Sequence, residues 1–219
     1  MGVFRLEIDE IIRKIKFHVQ EIHVNPGSGH GMDHLERTLR LALYLSDREG
    51  GDKAIIIAAT LLHDLHHYFS TLDETLEKAK EILEQIDFPR DKIEAVLNCI
   101  SCHECYSFGS KPKKILSLEA KIVQDADMLD AIGAIGIARA FMFGGMHNRP
   151  IWVPSVPLRK TYDYRKLEAS TIHHFYEKLL RLKDEFNTDT ARRIAIGRHK
   201  FMEEFVKQLK KEWEGSDFI

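Results

Sequence analysis

A strongly apolar run that ends in two ionisable residues constrains this chain more than any other feature. Residues 54–62 are almost all Ala, Ile and Leu, and His63 and Asp64 follow directly. Such a run is typical of a buried helix. An imidazole and a carboxylate are costly to bury without a compensating charge. The pair therefore indicates either a divalent ion of the Mn, Fe, Co, Ni or Zn kind, or a core histidine bonded to a neighbouring acid.

Two further segments offer the remaining ligands of such an ion. A glycine-rich junction precedes a helix whose first turn contains His34, and a later apolar helical pattern contains three acids, with Asp127 in the middle. Successive helical residues point about 100° apart, so one ion can contact both His63 and Asp64 only if it lies close to the helix. In chain order, the candidate metal ligands are His34, His63, Asp64 and Asp127.

Helical periodicity runs through the whole chain, without the alternation that indicates β-hairpins. We predict an all-α protein with helices at residues 6–24, 35–45, 54–63, 76–86, 93–100, 115–143, 164–186 and 190–213. The long proline-rich segment 144–161 is a candidate lid or binding element. We expect one domain over residues 1–219, with a metal core at about 20–135 and with the loop and the C-terminal helices 162–213 packed onto it.

Charge and hydropathy argue against several classes of partner. The 32 basic and 34 acidic residues give a formal net charge of −2, which provides no general attraction for nucleic acid or anionic lipid. The chain has no stretch of about 20 apolar residues to span a bilayer, and residues 1–20 lack the apolar core of a signal peptide. We expect a cytoplasmic protein with a small-molecule substrate and no nucleic-acid or membrane partner, and we leave self-association open.

The three cysteines lie in or beside a misleading motif: Cys99 and Cys102 belong to it, and Cys105 follows it. Cys-Ile-Ser-Cys-His, ending at His103, matches the attachment pattern of c-type haem, and the run also suggests iron–sulfur or zinc ligation. Haem attachment requires export, and a cluster normally requires a fourth ligand. We interpret the segment as a helix end with incidental thiols, in which His103 is the residue that matters. The alternative is a surface histidine on a loop.

Taken together, these residues resemble a known family. The ordered set His34, His63-Asp64 and Asp127 is similar to the metal set of the HD-domain superfamily of metal-dependent phosphohydrolases. Over roughly residues 20–213, the chain resembles a subgroup of small bacterial and archaeal HD hydrolases that includes nucleotide pyrophosphohydrolases. The motifs that carry the resemblance are His34-Leu35-Glu36-Arg37, Leu61-Leu62-His63-Asp64, Ile100-Ser101-Cys102-His103, residues 119–136 with the core Asp-Ala-Asp-x-Leu-Asp-Ala-Ile-Gly-Ala, Phe143-Gly144-Gly145, residues 174–179, Asn187-Thr188 and Arg198-His199.

The resemblance implies an HD-domain helical bundle with additional C-terminal helices and one divalent ion on His34, His63, Asp64 and Asp127. Manganese is the expected ion, with Mg, Co, Ni, Fe or Zn as alternatives. We predict that a metal-activated water cleaves a phosphoanhydride of a nucleotide. The alternatives are a 5′-nucleotidase or other phosphomonoesterase of the same fold, a di-iron HD oxygenase, and a catalytically silent nucleotide-binding module.

Three residues are the predicted catalytic groups. Asp64 offsets the charge of the ion and can accept a hydrogen bond from the attacking water. The resemblance implies that His103 lies near the metal, and Lys121 is a candidate for the phosphate charge. Lys121, His67 and Arg198 are the predicted substrate contacts.

The chain departs from the subgroup directly after the His-Asp pair. It reads Leu65-His66-His67-Tyr68-Phe69 in place of the usual apolar, glycine-containing stretch. Because His66 and His67 add two imidazoles beside the predicted site, the sequence leaves a second metal ion open. We expect Arg37 to be a partner of the acidic ligands rather than a catalytic group.

Overall fold

The computed structural model describes residues 2–22, 30–108, 115–159 and 169–218. These residues form α-helices and two short 3₁₀ helices, with no strand among them, as the sequence predicts. The 3₁₀ helices are His63–His67 and Leu179–Asp184. The α-helices are α1 (Gly2–Ile22), α2 (Met32–Glu49), α3 (Lys53–Leu62), α4 (Leu72–Gln85), α5 (Arg90–Cys102), α6 (Leu118–Asp130), α7 (Gly133–Met146), α8 (Thr171–Glu177) and α9 (Asp189–Glu214).

Helix α3 is the central element of the fold. Asp52 caps its start by accepting hydrogen bonds from the backbone N–H groups of Ala54 and Ile55, at 2.9 and 3.3 Å. Every residue from Ile55 to Leu62 is buried, and the helix packs against α1, α2, α5 and α6. Each fully buried Ile or Leu side chain contributes roughly 1.5–3 kcal/mol of hydrophobic stabilisation. The apolar run therefore fixes the position of the His-Asp pair that follows it.

The predicted long helix over residues 115–143 is wrong, because two helices occupy this segment. Helix α6 ends at Asp130 and α7 begins at Gly133, and the two helices meet at 72°. Gly133 has a φ of +78°, a conformation that glycine adopts without the steric cost of a Cβ atom. Helical periodicity does not reveal such a bend, because the residues on both sides of it keep the same apolar pattern.

A second predicted helix is also shorter than expected. Of residues 164–186, the described part contains α8 (Thr171–Glu177) and the 3₁₀ helix Leu179–Asp184, while residues 164–168 lie outside the described part. The proline-rich segment is described up to residue 159. Its Trp152 is buried, and its ring lies edge-on to that of Trp213 in α9.

Helix α9 packs against α2, α6 and α7. The buried carboxylate of Asp125, in α6, accepts hydrogen bonds from the backbone N–H groups of Asn187 and Thr188, both at 2.8 Å. It also accepts one from the Thr188 hydroxyl at 2.7 Å. Asp125 is thus one of the three aspartates in α6, and its role is to fix the start of α9.

No single helix among the described residues is both long enough and apolar enough to cross a membrane. Helices α6 and α7 pass that test of length and composition only as a bent pair.

Candidate metal centre

The fold brings together the four residues that the sequence proposes as metal ligands. His34 comes from the first turn of α2, His63 and Asp64 from the 3₁₀ helix after α3, and Asp127 from α6. The Nε2 atoms of His34 and His63 lie 3.3 Å apart. Asp64 oxygens lie 3.4 Å from Nε2 of His34 and 3.5 Å from Nε2 of His63. Oδ1 of Asp127 lies 3.5 and 3.7 Å from the same two nitrogens.

The separations among His34, His63 and Asp64 fit donors that share one metal ion, and these three residues form a potential metal-binding group, with Asp127 beside the two histidines at slightly longer distance. With metal–ligand bonds of about 2.1 Å, two donors lie about 3.0 Å apart at a right angle and about 3.4 Å apart at the tetrahedral angle. His34, His63 and Asp64 are buried, and the Asp127 side chain is 16% exposed. Two imidazoles and two carboxylates suit a divalent transition ion and leave positions for water and substrate oxygen.

The hydrogen bonds of the two histidines fix which ring nitrogens face the centre. Nδ1 of His63 donates to the carbonyl oxygen of Thr60 at 2.7 Å. Nδ1 of His34 donates to Oδ2 of Asp130 at 2.8 Å. A neutral imidazole with its proton on Nδ1 has a lone pair on Nε2. Two lone pairs and two carboxylates therefore point at one another, an arrangement that requires a cation.

Asp130 is a buried acid next to the candidate ligands that we did not single out from the sequence. Its carboxylate accepts hydrogen bonds from Nε and Nη2 of Arg37, at 2.7 and 3.0 Å, and from Nη1 of Arg139 at 3.0 Å. Although burial opposes ionisation, the bonds to His34 and Arg37 lower its pKa to about 2. The sequence feature that could have revealed Asp130 is its position three residues after Asp127, because residues i and i+3 lie on one face of a helix. Arg37, which we expected to be a partner of the acidic ligands, instead contacts Asp130 and Asp33.

Without a metal ion, the charges of the centre favour one proton on Nε2 of His63, the atom that would otherwise bind the metal. Burial disfavours the charged form of His63, but Asp64 and Asp127 outweigh burial and raise its pKa to about 9. Burial opposes ionisation of Asp64 and Asp127 as well, yet the neighbouring histidines hold both pKa values well below the usual range. Burial lowers the pKa of His34. The centre therefore binds positive charge even without a metal.

The 3₁₀ helix divides its histidines between two sides of the centre. Residues i and i+3 of a 3₁₀ helix eclipse each other, so His67 lies on the side of Asp64. Nε2 of His67 is 3.5 Å from Oδ1 of Asp64, and Nδ1 of His30 is 3.1 Å from Oδ2. Burial lowers the pKa of His67 to about 3. His67, a predicted substrate contact, thus lies at the rim, and His30 is a neighbour that we did not predict.

His103 lies on the other side of the centre, next to His63. It follows directly after α5, its side chain is buried, and its ring centroid is 5.3 Å from that of His63. Burial lowers its pKa to about 4. The structure therefore places His103 close to the candidate metal ligand His63, where the resemblance puts it. The three cysteines beside it form no disulfide among the described residues, with Cys99 and Cys102 buried and Cys105 exposed, and the potential metal-binding groups found among those residues contain no cysteine.

Arg198 and Lys121, the two positively charged residues predicted to contact the substrate, differ in their position relative to the centre. Arg198 of α9 donates from Nη1 to the carbonyl oxygen of Leu129 and has a favourable electrostatic interaction with Asp130. Lys121 is half-buried on α6, and its position is rotated by about 120° around the helix from that of Asp127. None of the hydrogen bonds and ion pairs found between described residues joins the Lys121 side chain to the centre.

Comparison with known proteins finds close relatives along almost the whole chain. A sequence model of the HD domain family matches residues 31–132. YpgQ of Bacillus subtilis (strain 168) is 39% identical over 208 residues, which are 93% of this chain and 94% of YpgQ.

Solved structures share the same architecture. A Lactobacillus plantarum protein matches with a TM-score of 0.83 and 36% identity, over 94% of this chain and 97% of its own. A Bacillus thuringiensis protein described as an HD-superfamily hydrolase matches with a TM-score of 0.72 and 36% identity, over 96% and 98%. YpgQ in complex with ADP matches with a TM-score of 0.69 and 33% identity, over 94% and 96%.

Proposed function

The chain belongs to the HD-domain superfamily, and on that premise we propose that it is a divalent-metal-dependent phosphohydrolase that cleaves a phosphoanhydride of a nucleotide. One observation carries the proposal. The Nε2 lone pairs of His34 and His63 converge with the carboxylates of Asp64 and Asp127. Buried ligand groups of this kind are stable together only around positive charge. A divalent ion supplies that charge and can also activate a bound water.

In this proposal, His34, His63, Asp64 and Asp127 hold one divalent ion, with manganese as the expected metal. Such an ion lowers the pKa of a bound water and polarises a phosphoryl oxygen. Asp64 and Asp127 offset the positive charge, and one of them accepts a hydrogen bond from the attacking water.

Residues around the ligands orient them and meet the substrate. Asp130 holds His34 in the tautomer that presents Nε2, and Arg37 in turn fixes Asp130. His67 at the rim and His103 beside His63 are proposed to contact the phosphate chain. Arg198 and Lys121 are proposed to supply positive charge to the phosphates.

The nucleotide part of the proposal depends on a relative. YpgQ, which is alike over almost its whole length, has been solved in complex with ADP. A ligand with several phosphates also suits a centre bordered by histidine and arginine side chains. We further propose that the protein acts in the cytoplasm on a small molecule, since its net charge of −2 gives it no general attraction for nucleic acid or anionic lipid.

A screen of metals against substrates tests the proposed function. The metal-stripped protein is supplied with Mn, Mg, Co, Ni or Zn and offered nucleoside mono-, di- and triphosphates, cyclic nucleotides and simple phosphomonoesters. We expect Mn-dependent release of phosphate or pyrophosphate from a di- or triphosphate. Asp64→Ala should abolish turnover and weaken metal binding at this centre, while His147→Ala, which changes an exposed histidine outside the centre, should retain both.

The remaining outcomes separate the alternatives. Release of nucleosides from monophosphates, with triphosphates untouched, identifies a 5′-nucleotidase. Two irons per chain together with oxygen consumption identify an oxygenase, and tight nucleotide binding without turnover identifies a silent module. Among the groups proposed to meet the substrate, Lys121→Ala should keep the ion of this centre and mainly raise KM, whereas His103→Ala should keep the ion of this centre and lower kcat.

A further inference from the structure

A second group of potential ligands lies beside the first centre and shares no side chain with it. His66, His103 and Glu104 each offer one donor atom, and these atoms lie within 4.8 Å of one another. Nε2 of His66 is 3.9 Å from Oε2 of Glu104. The ring centroids of His66 and His103 are 4.8 Å apart. In contrast, the group formed by His30, Asp64 and His67 contains Asp64 and so belongs to the first centre.

Backbone hydrogen bonds fix the tautomer of both histidines. Nδ1 of His66 donates to the carbonyl oxygen of His63 at 3.0 Å, and Nδ1 of His103 donates to that of Ile100 at 2.6 Å. Because a carbonyl only accepts, Nδ1 carries the proton in each ring and Nε2 has the lone pair. Both lone pairs are thus available to a metal, and neither ring needs to rotate or change its tautomer.

The Nε2 atom of His103 gives this group a specific reason to bind an ion. It is buried and has no hydrogen-bond partner among described residues, in a residue that is only 6% exposed. A buried polar atom without a partner costs about 1–3 kcal/mol. A metal ion on Nε2 removes this cost, and the second ring and the carboxylate lie beside it.

Glu104 can complete the group because its side chain is adaptable. It is 49% exposed, and one of its oxygens lies 3.5 Å from Nζ of Lys178. Its Oε2 atom lies 3.9 Å from Nε2 of His66, and the three donor atoms lie within 4.8 Å of one another, so the carboxylate is already beside the two imidazoles. Two neutral imidazoles and one carboxylate suit Fe, Co, Ni, Zn or Mn, whereas Mg and Ca prefer sites made of oxygen ligands alone.

We propose that His66, His103 and Glu104 bind a second divalent transition-metal ion, next to the first centre but on separate ligands. Its position on the far side of His63 suits an ion that binds an oxygen of the substrate's phosphate chain. That use rests on the proposed function, whereas the existence of the site does not.

The number of cobalt ions per chain tests this proposal without measuring catalysis. Metal-stripped full-length protein is dialysed against Co²⁺, and bound cobalt is counted per chain. We expect two ions in the wild-type protein and one in both His66→Ala and Glu104→Gln. His147→Ala, an exposed histidine elsewhere, and His67→Ala, from the neighbouring group, should each keep two. The visible spectrum of bound Co²⁺ should lose the contribution of one ion in the same two variants.

Two results would overturn the proposal. One is a single cobalt ion in the wild-type protein at saturation. The other is two ions retained in both His66→Ala and Glu104→Gln, which would place the second ion elsewhere. Glu104→Gln changes an exposed side chain to one of the same shape, so it keeps the test decisive if His66→Ala fails to fold. Absence of phosphohydrolase activity would refute the proposed function and leave the cobalt count unchanged.

Discussion

At the scale of single residues, a proton and a metal ion compete for His63. Asp64 and Asp127 raise its pKa to about 9 in the metal-free protein, so the ring is protonated at neutral pH. The two carboxylates are ionised, since their pKa values lie well below the usual range. His34 is neutral, because burial lowers its pKa. Only His63 therefore has to lose a proton before Nε2 can bind a metal.

We expect metal binding at this centre to release about one proton at pH 7.5 and to strengthen about tenfold per pH unit up to about pH 9. Above that pH, His63 is already neutral and the affinity should level off. Calorimetry with Mn²⁺ in buffers of different ionisation enthalpy measures the proton count. The His66→Ala variant restricts the measurement to the first centre. A binding enthalpy independent of the buffer would contradict the expectation.

At the scale of helices, the bend between α6 and α7 depends on one glycine. Gly133 has a φ of +78°, and a Cβ added there would lie 3.0 Å from Cγ of Arg198. Gly197 offers a matched comparison, since it lies inside α9 and an added Cβ would meet nothing within 4 Å. Gly133 is therefore required by the backbone conformation, whereas neither conformation nor packing requires a glycine at position 197.

Gly133→Ala should lower the free energy of unfolding by roughly 1–2 kcal/mol, because alanine is strained at positive φ and crowds Arg198. Gly197→Ala should raise it by up to about 1 kcal/mol, because alanine favours a helix interior. Urea denaturation of both variants and of the wild-type protein measures the two changes. Equal stability of the two variants would show that the bend does not require glycine.

At the scale of the whole molecule, the centre connects parts of the chain that are distant in sequence. His34 contacts His63, 29 residues later, and Asp130, 96 residues later. We propose that residues 1–219 form one domain, with the C-terminal helices unfolding together with the metal core. An ion that binds only the folded chain stabilises it by mass action.

Calorimetric unfolding should accordingly give a single transition that moves upward when metal is added. At a free metal concentration 100 times Kd, the stabilisation is about 2.7 kcal/mol, which corresponds to a rise in Tm of roughly 5–10 °C for a chain of this size. His63→Ala should weaken the response from the first centre, and EDTA should reverse the shift. Two separate transitions would contradict the single domain.

Much of the fold followed from the sequence. Residues 54–62 are apolar around the whole helix, so their burial in α3 is a property of composition, and the all-α class follows from periodicity along the chain. The order His34, His63-Asp64, Asp127 also predicted which side chains meet, although their binding of a metal stays a prediction. These features depend on the local sequence pattern, which does not require knowledge of how distant helices pack.

Tertiary structure alone decided the roles of neighbouring acids and histidines. Asp125 and Asp130 stand in the same apolar pattern, yet one fixes the start of α9 and the other orients His34. His103 meets His66 only because the segment after α5 packs beside the 3₁₀ helix after α3. Sequence periodicity gives the face of a helix on which a side chain lies, whereas the partner of that side chain depends on how distant helices pack.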